Sequence, residues 1–238
     1  MPNAKHPDAR LLSALPYIRR GGVAADIGTD HAYLPIELCR RGICARAVAC
    51  DINRGPLESA QANIAAAGLS GRIDTFLTDG LHGVERWQPD DILVFGMGGE
   101  LIVRILDEAP WVKDNRIGLI LQPMSRAEVL RRYLWENGFS IVGETLSQAD
   151  RIYRTLAARF TGVSEPFDET EALVGRDRFL SESPLAGAFL EGKIAVLESI
   201  AAGKRAGGAD AAYEEARIRD LRQKLQDRKI GKRKEVEG

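Results

Sequence analysis

The chain is 238 residues long, 45% hydrophobic and 28% charged, with a formal net charge of −1. That length accommodates one α/β domain with an appendage, and the near-neutral balance confines any nucleic-acid contact to a local patch. No early apolar h-region stands out and no uncharged run approaches the ~18 residues of a membrane helix, so neither export nor a membrane span is expected.

Residues 8–20 (DARLLSALPYIRR) place Leu11, Leu12, Leu15 and Ile18 on one face. This predicts an amphipathic helix beside the first strand, bent or interrupted at Pro16. Its Arg10, Arg19 and Arg20 are either phosphate contacts or a solvated helix end. The stretch Val23 to Pro35 (VAADIGTDHAYLP) follows. An apolar run ends at Asp26, Gly28 opens a polar turn, and apolar residues resume at Ala32. This reads as strand, tight turn and helix, the first βα unit of a nucleotide-binding sheet. A dinucleotide fingerprint would put glycines where Asp30 and Tyr33 stand, and a carboxylate at Asp30 repels a pyrophosphate. A cationic sulfonium amino acid has the opposite need: Asp26 and Asp30 suit its ammonium end, and Gly28 lets the backbone approach. S-adenosylmethionine therefore fits this turn better than NAD. The competing reading is an acidic turn that binds nothing.

A helix from Leu34 to Arg41 is closed by Gly42. The three cysteines (Cys39, Cys44, Cys50) lack paired C-x-x-C spacing and a histidine cluster. No zinc or other metal site is expected from them, and reduced thiols in a cytoplasmic protein are. The second strand, Ala45 to Cys50, ends in Asp51, 25 residues after Asp26. A carboxylate there can accept both ribose hydroxyls of a nucleoside. Residues 56–67 form a helix that starts at Pro56 and stops before Gly68. The third strand, Ile73 to Leu77, leads to Asp79, placed to accept from an adenine amino group. Three acids thus close three successive strands.

Asp91 to Phe95 is an unbroken apolar fourth strand of the kind found centrally in a parallel sheet. It runs into Gly96-Met97-Gly98-Gly99, where glycines permit close backbone approach or a sharp turn, and a helix starts near Glu100. The Asn/Asp-Pro-Pro-aromatic tetrapeptide of exocyclic-amine methylation is absent. An in-ring nitrogen such as adenine N1 already offers a lone pair and suits a roomy glycine loop. Arg116 to Leu121 is the fifth strand. The helix Arg126 to Asn137 turns Val129, Leu130, Tyr133 and Leu134 inward, and Phe139 to Leu146 and Ile152 to Phe160 form two more strands. The sum is an α/β fold, a Rossmann-like seven-stranded sheet with five parallel strands and an antiparallel insertion. The expected division is a methyltransferase domain over 1–160 and a linker and helical domain over 161–238. Residues 162–184 are polar and irregular, with at most a short helical turn. Leu185 to Arg205 and Ala209 to Lys229 predict an antiparallel helical hairpin of coiled-coil type. Its basic end, Arg217 to Lys234, is either a phosphate-contacting arm or a solvated face of i,i+4 pairs.

Together the DIGTDHAYLP stretch, the GMGGELI run, LILQP and the helical tail resemble the bacterial tRNA adenine-N1 methyltransferases that modify adenine 22, across essentially the whole chain. The resemblance implies a class I methyltransferase domain with a C-terminal coiled coil, S-adenosyl-L-methionine as donor and tRNA as partner. It places Asp26, Gly28, Asp30, Asp51, Asp79 and Gly96 at the cofactor, with Ile52, Gly80, Met97 and Gly98 beside them. Gly98, Gly99, Gln122 and Pro123 would flank the target base, and Arg217 and Lys224 the RNA phosphates. Asp30 is the candidate carboxylate for the charge that develops on the methylated base. His31 and Tyr33 are candidates for base contact, each equally readable as a structural residue at the helix start. Two positions depart from the family pattern: Met124 stands where QPN has its amide, and Asp51 where a glutamate is also familiar. A monomer or weak homodimer is expected. The competing functions are a S-adenosylmethionine enzyme of a small molecule or protein, and a cofactor-binding RNA module without catalysis.

Overall fold

The computed structural model describes residues 9–181 and 183–236, with side chains as far as Arg228. Asp8, at the start of the expected first helix, and the basic side chains beyond Arg228 lie outside the described residues. The chain divides into two compact units, Met1–Pro166 and Phe167–Gly238. Residues 161–166 belong with the first unit because their backbone bonds into it: Thr161 N–H donates to Gly138 O at 2.8 Å and Glu165 N–H to Trp135 O at 3.1 Å.

In the first unit β1 (Val23–Ile27), β2 (Arg46–Asp51), β3 (Ile73–Leu77), β4 (Asp91–Met97), β5 (Gly118–Pro123), β6 (Phe139–Gln148) and β7 (Ile152–Phe160) form one sheet. Its spatial order is β3-β2-β1-β4-β5-β7-β6. The first five strands are parallel, and β7 is antiparallel to both β5 and β6. Helices α2 (Tyr33–Arg40), α3 (Arg54–Ala66), α4 (Gly99–Asp107) and α5 (Ala127–Glu136) follow β1, β2, β4 and β5, and a 3₁₀ turn, Val84–Trp87, lies between β3 and β4. Covered on both faces, β5 is buried at every position, and β4 as far as Phe95. A continuous apolar run is what such a strand requires.

The N-terminal segment departs from expectation. Only α1 (Ala9–Leu12) is α-helical, followed by a separate 3₁₀ turn, Leu15–Tyr17, that contains Pro16. The Arg10 carbonyl, which the next helical turn would use, accepts instead from Ser13 Oγ at 2.6 Å and Gln122 Nε2 at 3.0 Å. Ser13 Oγ also lies 2.6 Å from Thr155 Oγ1, and Tyr17 Oη 2.6 Å from Thr145 Oγ1. The segment therefore reaches over to β6 and β7, beyond the first strand it was expected to flank. Arg19 is engaged within the unit: its N–H donates to Asp91 Oδ2 at 2.7 Å and its guanidinium bonds the Asp90 and Arg116 carbonyls, at the amino edge of the sheet.

A charged cluster lies under α5, in positions the apolar pattern did not mark. Arg131 and Trp135 are fully buried. Glu144 pairs with Arg131 at 3.0 Å and with Arg154 at 2.7 Å. Burial lowers the Arg154 pKa to about 9 and Glu144 opposes the drop, so the guanidinium remains charged at neutral pH.

The second unit holds α6 (Glu169–Val174), α7 (Asp177–Leu180), α8 (Ala186–Ala206) and α9 (Ala212–Val236). The expected irregular linker thus contains two short helices. The first is announced by a capping box: Asp168 Oδ1 accepts from Glu171 N–H at 2.7 Å and the Glu171 carboxylate accepts from Asp168 N–H. Leu190, Ile194 and Leu197 of α8 face Ile218 and Leu221 of α9, all buried. Ion pairs Lys204–Glu214, Arg205–Glu215 and Glu198–Arg222 run in antiparallel order along the hairpin. No described helix is long and apolar enough to cross a membrane.

Candidate active site

Strand β1 has β2 on one side and β4 on the other, so the connections leave it in opposite directions. A crevice must open at the carboxyl end of that switch point. A cleft of about 530 Å³ is found there, within the size range of small-molecule sites. The strand ends deliver acids to it in sequence: Asp26 near the end of β1 and Asp30 just beyond it, Asp51 at the end of β2 and Asp79 just after β3. Gly28, Ile52, Gly80, Gly96 and Met97 also line it, whereas Gly98, expected beside them, lies outside the lining at the start of α4.

The turn after β1 is shaped by close approach. Gly28 has φ +73°, and a Cβ there would collide with Met97 Cε. Its N–H and that of Thr29 both donate to Cys50 O, at 2.9 and 2.8 Å, which ties the turn to β2. His31 and Ala32 both have φ +57°, a left-handed conformation that costs about 1–3 kcal/mol per non-glycine residue. Asn63 Nδ2 donates to His31 O at 3.0 Å and holds the turn from α3. The outcome is that Asp30 faces the cleft, with His31 Nε2 at 3.3 Å from its carboxylate and the Tyr33 ring 5.5 Å from that of His31. Burial pushes Asp26 up to about 6, and neighbouring Asp30 and Asp51 push the same way; Thr29 Oγ1 donating at 2.6 Å and Arg10 act against the rise.

These residues fit S-adenosylmethionine. The cofactor is long and zwitterionic at one end, and the cleft has two matching ends. Asp26, Asp30 and Arg10 stand at the β1 end. Asp51 and Asp79 stand at the other, beside Ile52, Leu101 and Ile105, of which Ile52 is 59% exposed. One Asp51 oxygen accepts from Asn53 N–H at 2.7 Å and Asp79 lies 3.5 Å from Arg104.

Arg10 is the residue that sequence reasoning undervalued. It lines the cleft because the N-terminal segment is anchored through Gln122, a partner more than a hundred positions away that no local pattern displays. The expected substrate contacts divide differently. His31 and Tyr33 stand behind Asp30, outside the lining. Gly98 caps α4 and Gly99 begins it, its N–H donating to Ser125 O at 2.8 Å. Pro123 is buried at the end of β5. Gln122 is fully buried, and its amide nitrogen serves Arg10 O and Thr155 Oγ1, so it anchors α1 where a base contact was expected. Arg217 pairs with Asp220 at 2.9 Å and Lys224 with Asp177 at 2.6 Å, so both cations are already engaged inside the second unit.

Residues 8–156 match the methyltransferase domain family. The tRNA (adenine(22)-N(1))-methyltransferase of Bacillus subtilis (strain 168) is 34% identical over 182 residues, covering 76% of this chain and 73% of the relative. A Streptococcus pneumoniae protein solved in complex with S-adenosyl-L-methionine is 32% identical with a TM-score of 0.80, covering 92% of this chain and 99% of that one. TrmK of M. capricolum, solved with S-adenosyl-homocysteine, is 27% identical with a TM-score of 0.78, covering 92% and 98%. With the fold, the switch-point cleft and its row of acids already in place, the chain belongs to the tRNA (adenine(22)-N1)-methyltransferase family.

Proposed function

We propose that this protein transfers a methyl group from S-adenosylmethionine to N1 of adenine 22 in tRNA. The observation that carries the reading is the row of carboxylates ending β1, β2 and β3 in one cleft, in a chain of this family. The cofactor, when bound, supplies an electrophilic methyl group on a sulfonium.

Every other contribution comes from the chain. Arg10 takes the cofactor's carboxylate, and Asp26 and Asp30 its ammonium. Asp51 accepts the ribose hydroxyls and Asp79 the adenine amino group, between the apolar walls of Ile52, Leu101 and Ile105. Gly28, Gly80 and Gly96 bring backbone close without side-chain obstruction, and the Met97 side chain packs against Gly28. Adenine N1 carries its own lone pair, so no general base is needed. The nucleotide must instead leave its stack to expose that edge. Catalysis then rests on positioning and on the field of a fixed carboxylate. Asp30 supplies that field as positive charge passes to the purine, and His31, supported by Tyr33, keeps Asp30 in place. The C-terminal unit is the proposed tRNA arm, working through cations other than the internally paired Arg217 and Lys224. Three free, buried cysteines suit a reducing cytoplasm.

Labelled S-adenosylmethionine offered to the full chain with tRNA, with a small-molecule extract and with protein tests the reading. Label in tRNA supports it. Label only in the other pools, or in none although the cofactor binds, contradicts it.

A further inference from the structure

Beyond Met97, the last β4 residue lining the cleft, the surface continues outside it. Met124 N–H donates to Met97 O and Gly99 N–H to Ser125 O, each at 2.8 Å, so the turns after β4 and β5 form one stitched surface. Strand β7 is antiparallel to β5, and the β6–β7 turn therefore rises where β5 ends. That turn delivers Arg151, whose Nη2 lies 3.5 Å from Met124 Sδ. The same guanidinium lies 5.0 Å from the centroid of the Tyr153 ring, and the Arg10 guanidinium 5.7 Å from it. Tyr153 is itself fixed, buried with its hydroxyl donating to Asp150 Oδ1 at 2.7 Å. Arg151 is exposed and, among the described residues, makes no ion pair. Nearby Arg104 and Arg126 are each within ion-pair distance of carboxylates.

We propose that Met124 and Arg151 are the RNA-recognition wall of this site. The flipped purine lies against the Met124 thioether, and Arg151 takes the adjoining phosphate. The inference rests on the tRNA reading above and adds the residues that hold the nucleotide. A thioether is polarizable and places no directional demand on its partner, so it suits the face of a ring. It makes none of the paired hydrogen bonds a carboxamide offers a base edge. This wall therefore holds the nucleotide by stacking and charge, while the site's geometry decides which ring nitrogen meets the methyl group. An exposed guanidinium aligned by an aromatic face, its charge shared only loosely with the neighbouring Asp150 carboxylate, is a standing phosphate contact.

The test uses the 238-residue chain, unmodified tRNA transcript and S-adenosylmethionine. Arg151→Ala is expected to leave cofactor affinity within about twofold, raise the KM for tRNA about tenfold and lower the salt slope of tRNA binding by about 1. Met124→Ala is expected to lower kcat/KM for tRNA about tenfold, and Met124→Leu, which keeps an apolar face, by less. Unchanged cofactor affinity in each variant shows that the domain has folded. If the wild type methylates tRNA and Arg151→Ala keeps both its KM and its salt slope, the wall is wrongly assigned. If the wild type methylates no tRNA, the tRNA reading fails and this inference falls with it.

Discussion

Asp26 is the residue on which the cofactor end of the site turns, and its physics sets a pH dependence. Its folded pKa is raised to about 6 from 3.8. Well below pH 3.8 both folded and unfolded chains hold the proton and nothing is lost. Between pH 3.8 and about 6 the unfolded chain ionises while the folded one keeps its proton, so stability falls by about 3 kcal/mol and is level above about 6. A bound ammonium offsets the buried Asp26 charge, so affinity for S-adenosylmethionine should rise with pH up to about 6 and then level off, with a slope of at most about tenfold per unit. Calorimetric titration between pH 5 and 8 checks this, and an affinity flat across that range would contradict it. Asp26→Asn should weaken cofactor binding, flatten the profile and raise the Tm of the ligand-free protein. Asp30 predicts a different signature. Asp30→Asn should lower kcat about a hundredfold while changing cofactor affinity only a few-fold, because its charge matters most as the purine becomes cationic. Full turnover in that variant would remove Asp30 from the mechanism. The acids were legible in the sequence because each follows an apolar run, so their place at strand ends follows from the strands alone. Gln122 was not: adjacency to Pro123 says nothing about which face of β5 its side chain takes, and it turned inward to Thr155 and the Arg10 carbonyl.

At the scale of elements, the two added strands are held to α5 by the Arg131–Glu144–Arg154 cluster. Removing Glu144 leaves two buried guanidiniums without their shared carboxylate. Glu144→Ala should therefore destabilise the protein by about 3–5 kcal/mol, read as a shift in the urea midpoint. A loss below about 1 kcal/mol would mean that water or neighbouring groups compensate. All seven strands were visible in the sequence, the central ones as apolar runs, and the glycines at 42, 68 and 138 marked helix ends. The first helix was overestimated because periodicity reports a face and not a partner. Ser13 pairs its hydroxyl with that of Thr155 and the Arg10 carbonyl accepts from Gln122, and no local window contains that competition. The capping box at Asp168 and Glu171 was a local signal, present in the sequence and readable there.

At the scale of the molecule, two compact units imply separable tasks. The cleft is built wholly from the first unit, by residues between Arg10 and Ile105. A chain ending at Pro166 should keep S-adenosylmethionine affinity within a few-fold and lose most of its tRNA affinity. Equal tRNA binding with and without residues 167–238 would assign RNA recognition to the first unit alone. The charge of α9 is a weaker guide than its sequence implied, since Arg217, Arg222 and Lys224 are all paired with carboxylates of their own unit. Composition displays cations, and only folding shows which are already neutralised. The most direct test of the whole account is nucleoside mass analysis of tRNA transcripts after reaction with S-adenosylmethionine. The account predicts N1-methyladenosine in a transcript with adenine at position 22 and none when that adenine alone is replaced. N1-methyladenosine that persists after the replacement, or no product despite measurable cofactor binding, would contradict it.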